Sequence, residues 1–294
     1  MVSDSHATLV ETNWNEEWKA LQAARHPADD PAFWDSRAHH FQARETHPYA
    51  RAFMERAAVA PGESLLDMGC GAGSLAIPYG LRGNHVLACD FSPRMLDVLG
   101  EGIRFHHLET LVTPKLLAWD DDWDAAGMQP KSVDVAIASR SIATHDLAAA
   151  LLKLDRTARR RCCITLIATG SPRVDRHIMD AIGASVTESH DYVYAFNILV
   201  RLGRHPEVSY IISPRRDTFN TLDEGVADFA RMLEGGNEER LPELRTYLAH
   251  HMVENPEAGM PGEKGRPQGA YMLDHVREVC WAFIAWKPQE LDEE

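Results

Sequence analysis

The chain is poor in cysteine, and what it has does not pair. Five cysteines in 294 residues, Cys70, Cys89, Cys162, Cys163 and Cys280, are an odd number, and their spacing fits neither a zinc ligand set nor a CxxC redox pair. A disulfide framework is excluded, and a chain of this length can bury a core large enough to need none. No metal ligand set is expected. Long apolar runs are missing too: nothing approaches the roughly 20 residues that span a bilayer. The opening MVSDSHATLVETNW lacks the basic start and apolar stretch of a secretory signal, so the expectation is a cytoplasmic protein with no membrane partner. Positive charge is in deficit, 30 Lys and Arg against 44 Asp and Glu for a net charge of −14. Such a balance repels a phosphate backbone and argues against nucleic acid as a partner.

The rest of the composition is that of a globular protein, with 45% apolar residues, 19 Gly and 16 Pro, which excludes fibrous and disordered classes. Apolar strand-like runs recur at SLLDMG from 64, HVLACD from 85, KLLAW from 115, VDVAIAS from 133, CCITLIA from 162, VSYII from 208 and VCWAFIAW from 279. Helical periodicity separates the first five, the pattern of a parallel sheet with helices on both faces. Before the first strand, Trp14, Trp18 and Leu21 fall at helical spacing, Pro31 opens a second segment and a third ends before Pro61 and Gly62. Ser92 followed by Pro93 marks a helix start. Between the last two strands, Leu222, Val226, Phe229 and Leu233, then Leu241, Leu244 and Leu248, form apolar stripes at helical spacing. The expected division is a helical cap over 1–44, a core over 45–212, a helical insertion over 213–278, and a last strand with acidic tail over 279–294.

Chemistry is concentrated in LLDMGCGAGSLAIP, residues 65–78. An apolar strand enters Asp67, glycines follow at 69, 71 and 73, and the chain then turns helical. Glycines let the backbone bend sharply and admit a ligand without obstruction by Cβ, while the helix start offers free N–H groups. A dinucleotide fingerprint would need glycine at 74, where Ser74 stands. At the end of the second strand, Asp90 is placed to accept hydrogen bonds from ribose hydroxyls.

Together the D-x-G-x-G-x-G loop and Asp90 resemble the class I S-adenosylmethionine (SAM) dependent methyltransferases, over about residues 45–170 and the final strand. The resemblance implies an α/β fold with a doubly wound, mostly parallel seven-stranded sheet, here with a helical N-terminal cap and a helical insertion before the last strand. It implies SAM as cofactor. Gly69, Gly71 and Gly73 would pack under its methionine part, with Cys70 in the same loop; Asp67 would position the methionine end, and Asp90, followed by Phe91, the ribose. The third strand's end would supply Trp119 and Asp120 to the adenine, with Asp121 and Asp122 as neighbouring registers. Ser139 and Arg140, with Ser141 beyond, fall near the transferred methyl at the end of the fourth strand, and His145 is the imidazole there that could serve as base. The segment ASRS does not match the N-P-P-[YFW] signature of amino-methylating members, which argues against DNA adenine and protein glutamine as acceptors; a small-molecule acceptor is expected.

An NAD-linked oxidoreductase and a non-catalytic nucleotide-binding subunit stay open as alternatives. Of the N-terminal aromatics, Trp14, Trp18, Phe33, Phe41 and Tyr49 read mainly as core, and Trp34 with Arg37 as a lid over the cofactor. The insertion's stripe is expected to bury against the sheet's carboxyl edge or those aromatics as a wall of the acceptor pocket, with 254–270 as a hinge; a homodimer face is the other reading.

Overall fold

The computed structural model describes residues 11–25, 31–35, 48–169, 174–185, 189–234, 236–262 and 267–290. Seven strands form the main sheet: β1 (Ser64–Met68), β2 (His85–Asp90), β3 (Val112–Leu116), β4 (Val133–Ser139), β5 (Ala158–Thr169), β6 (Glu207–Arg215) and β10 (Arg277–Trp286). Their order is β3-β2-β1-β4-β5-β10-β6. The first five pair in parallel, whereas β10 runs antiparallel to both its neighbours. That antiparallel strand separates the sheet from the dinucleotide fold, whose six strands are all parallel in the order 3-2-1-4-5-6.

One face of the sheet is covered by α3 (Pro48–Ala57), α4 (Ala76–Leu81) and α5 (Pro93–His106), where Phe53, Tyr79 and Leu99 are fully buried against β-strand side chains. The other carries α1 (Trp14–Ala24), α6 (Leu147–Thr157) and α8 (Asp191–Arg201). Local chemistry explains the helix starts. Ser92 caps α5 by accepting from the Met95 N–H at 3.1 Å, with Pro93 at its first position, and Asp146 caps α6 by accepting from Ala149 at 3.0 Å. Trp18 is fully buried on this second face, where it donates to the Thr144 carbonyl at 2.7 Å and meets the Tyr194 ring edge-on.

The third strand departs from the expectation of 115–119. It ends at Leu116; buried Leu117 still donates its N–H to the Asp90 carbonyl, and the chain then turns away with Trp119 half-buried in the loop beyond.

The stretch between β6 and β10 forms α9 (Leu222–Ala230), α10 (Leu241–His251) and a separate three-stranded sheet of β7 (Thr218–Phe219), β9 (Tyr271–Leu273) and β8 (Met252–Glu254). Sequence periodicity found the helices but not this sheet, whose strands are too short to alternate visibly. Among the described residues, the apolar stripes do not pack on the N-terminal aromatics. Phe229, Leu233, Leu244 and Leu248 are buried against Ile178, Met179 and Ile182 at α7 (Arg176–Ala181), which completes a second small core inside the chain. Most of the stripe is thereby buried within the chain. Asp175 joins the two parts: it caps α7 and accepts from His275, just before β10, at 2.9 Å.

Candidate functional site

The loop after β1 is shaped by three glycines with φ of +75° at Gly69, +53° at Gly71 and +90° at Gly73, a region side chains disfavour. Their surroundings differ. A Cβ on Gly69 would meet Ser141 Cβ at 2.3 Å, and one on Gly73 would meet Leu99 Cδ1 at 2.5 Å, whereas one on Gly71 would meet nothing within 4 Å. Gly69 and Gly73 therefore allow close packing, while Gly71 borders open space. The loop's N–H groups are drawn back to β2: Gly69 and Cys70 donate to the Cys89 carbonyl at 2.8 and 2.9 Å, and Gly71 to Asp90 Oδ2 at 2.8 Å.

Asp90 is 5% exposed and its other oxygen accepts from the Ser92 N–H at 2.9 Å. Burial pushes its carboxyl up, and the Ser92 and Gly71 donors oppose the shift. Sequence reasoning gave Asp90 a ribose; the structure adds that it holds the glycine loop itself. Asp67 is 2% exposed, and its Oδ2 has no partner among the described residues. Burial and the neighbouring Asp90 push this carboxyl up to about 7, against a bond from the Ala76 backbone. Cys70 is buried, which pushes its thiol well up, so it packs and does not react. Phe91 is half-buried beside them.

On the opposite flank, Ser141 fastens three segments. Its hydroxyl donates to the Met68 carbonyl at 2.7 Å, and its own carbonyl accepts from the Trp119 indole at 2.7 Å. Trp119 stacks on Trp123 with ring centroids 5.7 Å apart. Asp121 accepts from Ala118, and Asp122 from Asp124 and Ala125, so those two carboxylates shape the turn. Asp120, exposed and bonded to no described residue, is the one left for a ligand. Ser139, half-buried at the end of β4, meets the Tyr49 hydroxyl at 2.8 Å, which also meets Thr165 at 2.7 Å. Arg140 follows, exposed, its guanidinium 4.2 Å from the Tyr49 ring centroid and 5.7 Å from that of Trp281. Sequence reading missed Thr165 and Trp281, which lie in apolar strands and read as core. His145 is exposed between β4 and α6 and is not joined to the Arg140 cluster by any hydrogen bond among the described residues.

Of the lid candidates, Trp34 lies on α2 (Pro31–Asp35) and packs on Ala72 of the glycine loop and Met95. Its neighbour Asp35 accepts from the Ser92 hydroxyl at 2.6 Å, a contact no sequence signal announced. Arg37, Phe41 and the side chain of Phe33 lie outside the described residues. Two buried carboxylates without a Lys or Arg partner, one with an orphaned oxygen, beside a loop open at Gly71, fit a ligand that brings hydroxyls and positive charge. SAM, with ribose, ammonium and sulfonium groups, has that chemistry.

Residues 66–162 match the family model described as a methyltransferase domain. An uncharacterized protein of Haemophilus influenzae is 29% identical over 211 residues, 69% of this chain and 75% of that one. The malonyl-[acyl-carrier protein] O-methyltransferase of Serratia marcescens is 35% identical over 100 residues, 34% of this chain; the chain spans 35% of that enzyme's length. Among solved structures, the YcgJ protein of Bacillus subtilis superposes with a TM-score of 0.51 at 13% identity, over 83% of this chain and 99% of that one, a likeness of fold.

Proposed function

We propose that the chain, which carries a methyltransferase domain over residues 66–162, is a class I SAM-dependent methyltransferase that transfers the methyl group of SAM to a small-molecule acceptor bound beyond the carboxyl ends of β4 and β5. The observation that carries this reading is the pair of buried, cation-free carboxylates, Asp67 and Asp90, flanking a glycine loop that is open at Gly71. Bound SAM supplies a methyl carbon already activated by its sulfonium. The chain's own task is then to align and to exclude water. Asp90 and the loop backbone bind the ribose side, Asp67 offers its unpaired oxygen to the methionine end, and Trp119 and Asp120 border the adenine. Trp34 on α2 covers the loop. Ser139 and Arg140 lie on the acceptor side. Where the acceptor holds its proton at neutral pH, His145 is the proposed base. Four buried, unpaired cysteines suit a reducing compartment, and we read the protein as cytoplasmic.

Calorimetric titration with SAM, S-adenosylhomocysteine (SAH) and NAD tests the cofactor, and incubation of a cell extract with methyl-labelled SAM tests the acceptor. Binding of SAM and SAH but not NAD, with label in the small-molecule fraction, is expected. NAD binding alone would replace this reading by the oxidoreductase, and label confined to protein or RNA would overturn the small-molecule acceptor.

A further inference from the structure

We infer that the acceptor is an anion, a small molecule bearing a carboxylate or phosphate, and that Arg140 receives its negative group. The inference rests on the methyltransferase reading and adds the acceptor's chemical class.

Arg140 is held in a way its surroundings do not otherwise require. Its φ of +60° is left-handed, a conformation disfavoured for a residue with Cβ, and its N–H is fixed by the Thr165 hydroxyl at 3.0 Å. The guanidinium lies over Tyr49 of α3 and near Trp281 of β10, rings that meet each other edge-on with centroids 6.1 Å apart. Tyr49 is pinned in turn by Ser139 and Thr165. Aromatic faces hold the cation by its plane, which leaves the N–H groups at its rim unspent. Two well-buried arginines spend theirs on carboxylates, Arg204 on Asp155 and Arg277 on Asp217. Among the described residues, Arg140 pairs with no Asp or Glu, and its side chain donates to none of them. The same cluster contains the buried indole N–H of Trp281, which also lacks an acceptor. Donors without acceptors, fixed before any ligand arrives, describe a receptor for an anion.

Its place suits the acceptor. Arg140 lies between Ser139 and the Ser141 that packs on Gly69, on the opposite side of the glycine loop from Asp90. The aromatic support extends away from the loop, across β5 to β10. An anion seated there would lie beside the methionine end of the cofactor and be drawn toward it by the one unpaired guanidinium of this cluster.

The test uses the full chain saturated with SAH at fixed ionic strength, probed by calorimetry with two matched pairs, benzoate against benzamide and phenyl phosphate against phenol. The wild type is expected to bind at least one anionic member about 10- to 100-fold more tightly than its neutral partner, the range for a hydrogen bond to a charged group. Arg140→Gln should abolish that preference while keeping SAH affinity, and Arg140→Lys should restore part of it; Arg140→Asn, which tolerates the left-handed backbone, replaces Gln if that variant unfolds. Equal binding of both members by a wild type that binds SAH, or a preference that survives without Arg140, overturns the inference and leaves the methyltransferase reading intact. Loss of SAH affinity in Arg140→Gln would assign the arginine to the cofactor's own carboxylate and equally overturn it. Failure of the wild type to bind SAH would instead strike the methyltransferase reading.

Discussion

Ser141 occupies the space that a side chain on residue 69 would need, its Cβ 2.3 Å from where a Cβ on Gly69 would stand. The loops after β1 and β4 are thus interlocked, and the shape of the cofactor loop depends on a residue more than seventy positions away. Packing alone requires glycine at position 69.

The same reasoning separates the other two glycines. Gly73→Ala drives a methyl into buried Leu99 and should cost about 1–3 kcal/mol of stability by overpacking. Gly71→Ala meets open space and should cost only about 1–2 kcal/mol for its left-handed backbone, yet it should weaken SAM binding about tenfold, about 1.4 kcal/mol. Urea unfolding and calorimetry on both variants check the pattern; the reverse pattern would reassign the loop.

Asp67 makes stability depend on pH. Its carboxyl, raised from 3.8 to about 7 in the folded chain, keeps its proton where the unfolded chain has released it. Its contribution is therefore full below about 4 and declines as pH rises toward 7, by about 1.4 kcal/mol per pH unit. Asp67→Asn should remove that decline, so the variant gains on the wild type between about pH 4 and about pH 7. Binding of positively charged SAM should strengthen over the same interval in the wild type and not in the variant. Parallel stability profiles for the two proteins would refute the assignment.

Asp155 is a buried junction at the other end of the sheet. Arg204 binds it through two nitrogens at 2.8 and 3.0 Å, the Trp286 indole donates at 2.9 Å and the Gln289 N–H at 3.1 Å. Burial pushes the carboxyl up, but Arg204 and the other donors outweigh it and hold it below the usual range. Its contribution is present at neutral pH and is lost as pH falls below the ordinary aspartate value. Asp155→Ala strands the arginine and should cost about 3–5 kcal/mol, measurable by urea unfolding at pH 7, with SAM affinity unchanged in the folded fraction.

Asp35 fastens α2 to the cofactor region through the Ser92 hydroxyl and the Arg94 N–H. Asp35→Ala should free that short helix and speed SAH dissociation about tenfold, a loss of about 1.4 kcal/mol, in stopped-flow fluorescence. An unchanged off-rate would show that Trp34 packs without gating.

The parts of this molecule that the sequence announces are those where one residue type has one local use: glycines in a left-handed loop, Ser92 as a helix cap, continuous apolar runs for strands buried on both faces. The third strand was displaced because apolar Leu117 and Trp119 pack in the loop that follows it, and apolarity alone does not tell strand from loop. The small sheet of β7, β8 and β9 has strands of two or three residues, too short for any period. Around Arg140 the sequence named the cation but not its support, since Tyr49, Thr165 and Trp281 come from three distant segments and converge only through the sheet's order.

That order also governs how the molecule can be made. β6 pairs only with β10, which leaves the ribosome some sixty residues later, after both helices and the small sheet of the intervening stretch. Until then β6 has no partner and the face beneath α3 lacks Trp281 and Phe283. A nascent chain therefore carries an unpaired strand and an unroofed apolar surface for seconds at ordinary rates of synthesis, so the risk of misassociation during folding falls on this edge, and the closing event is the arrival of a strand from the opposite direction.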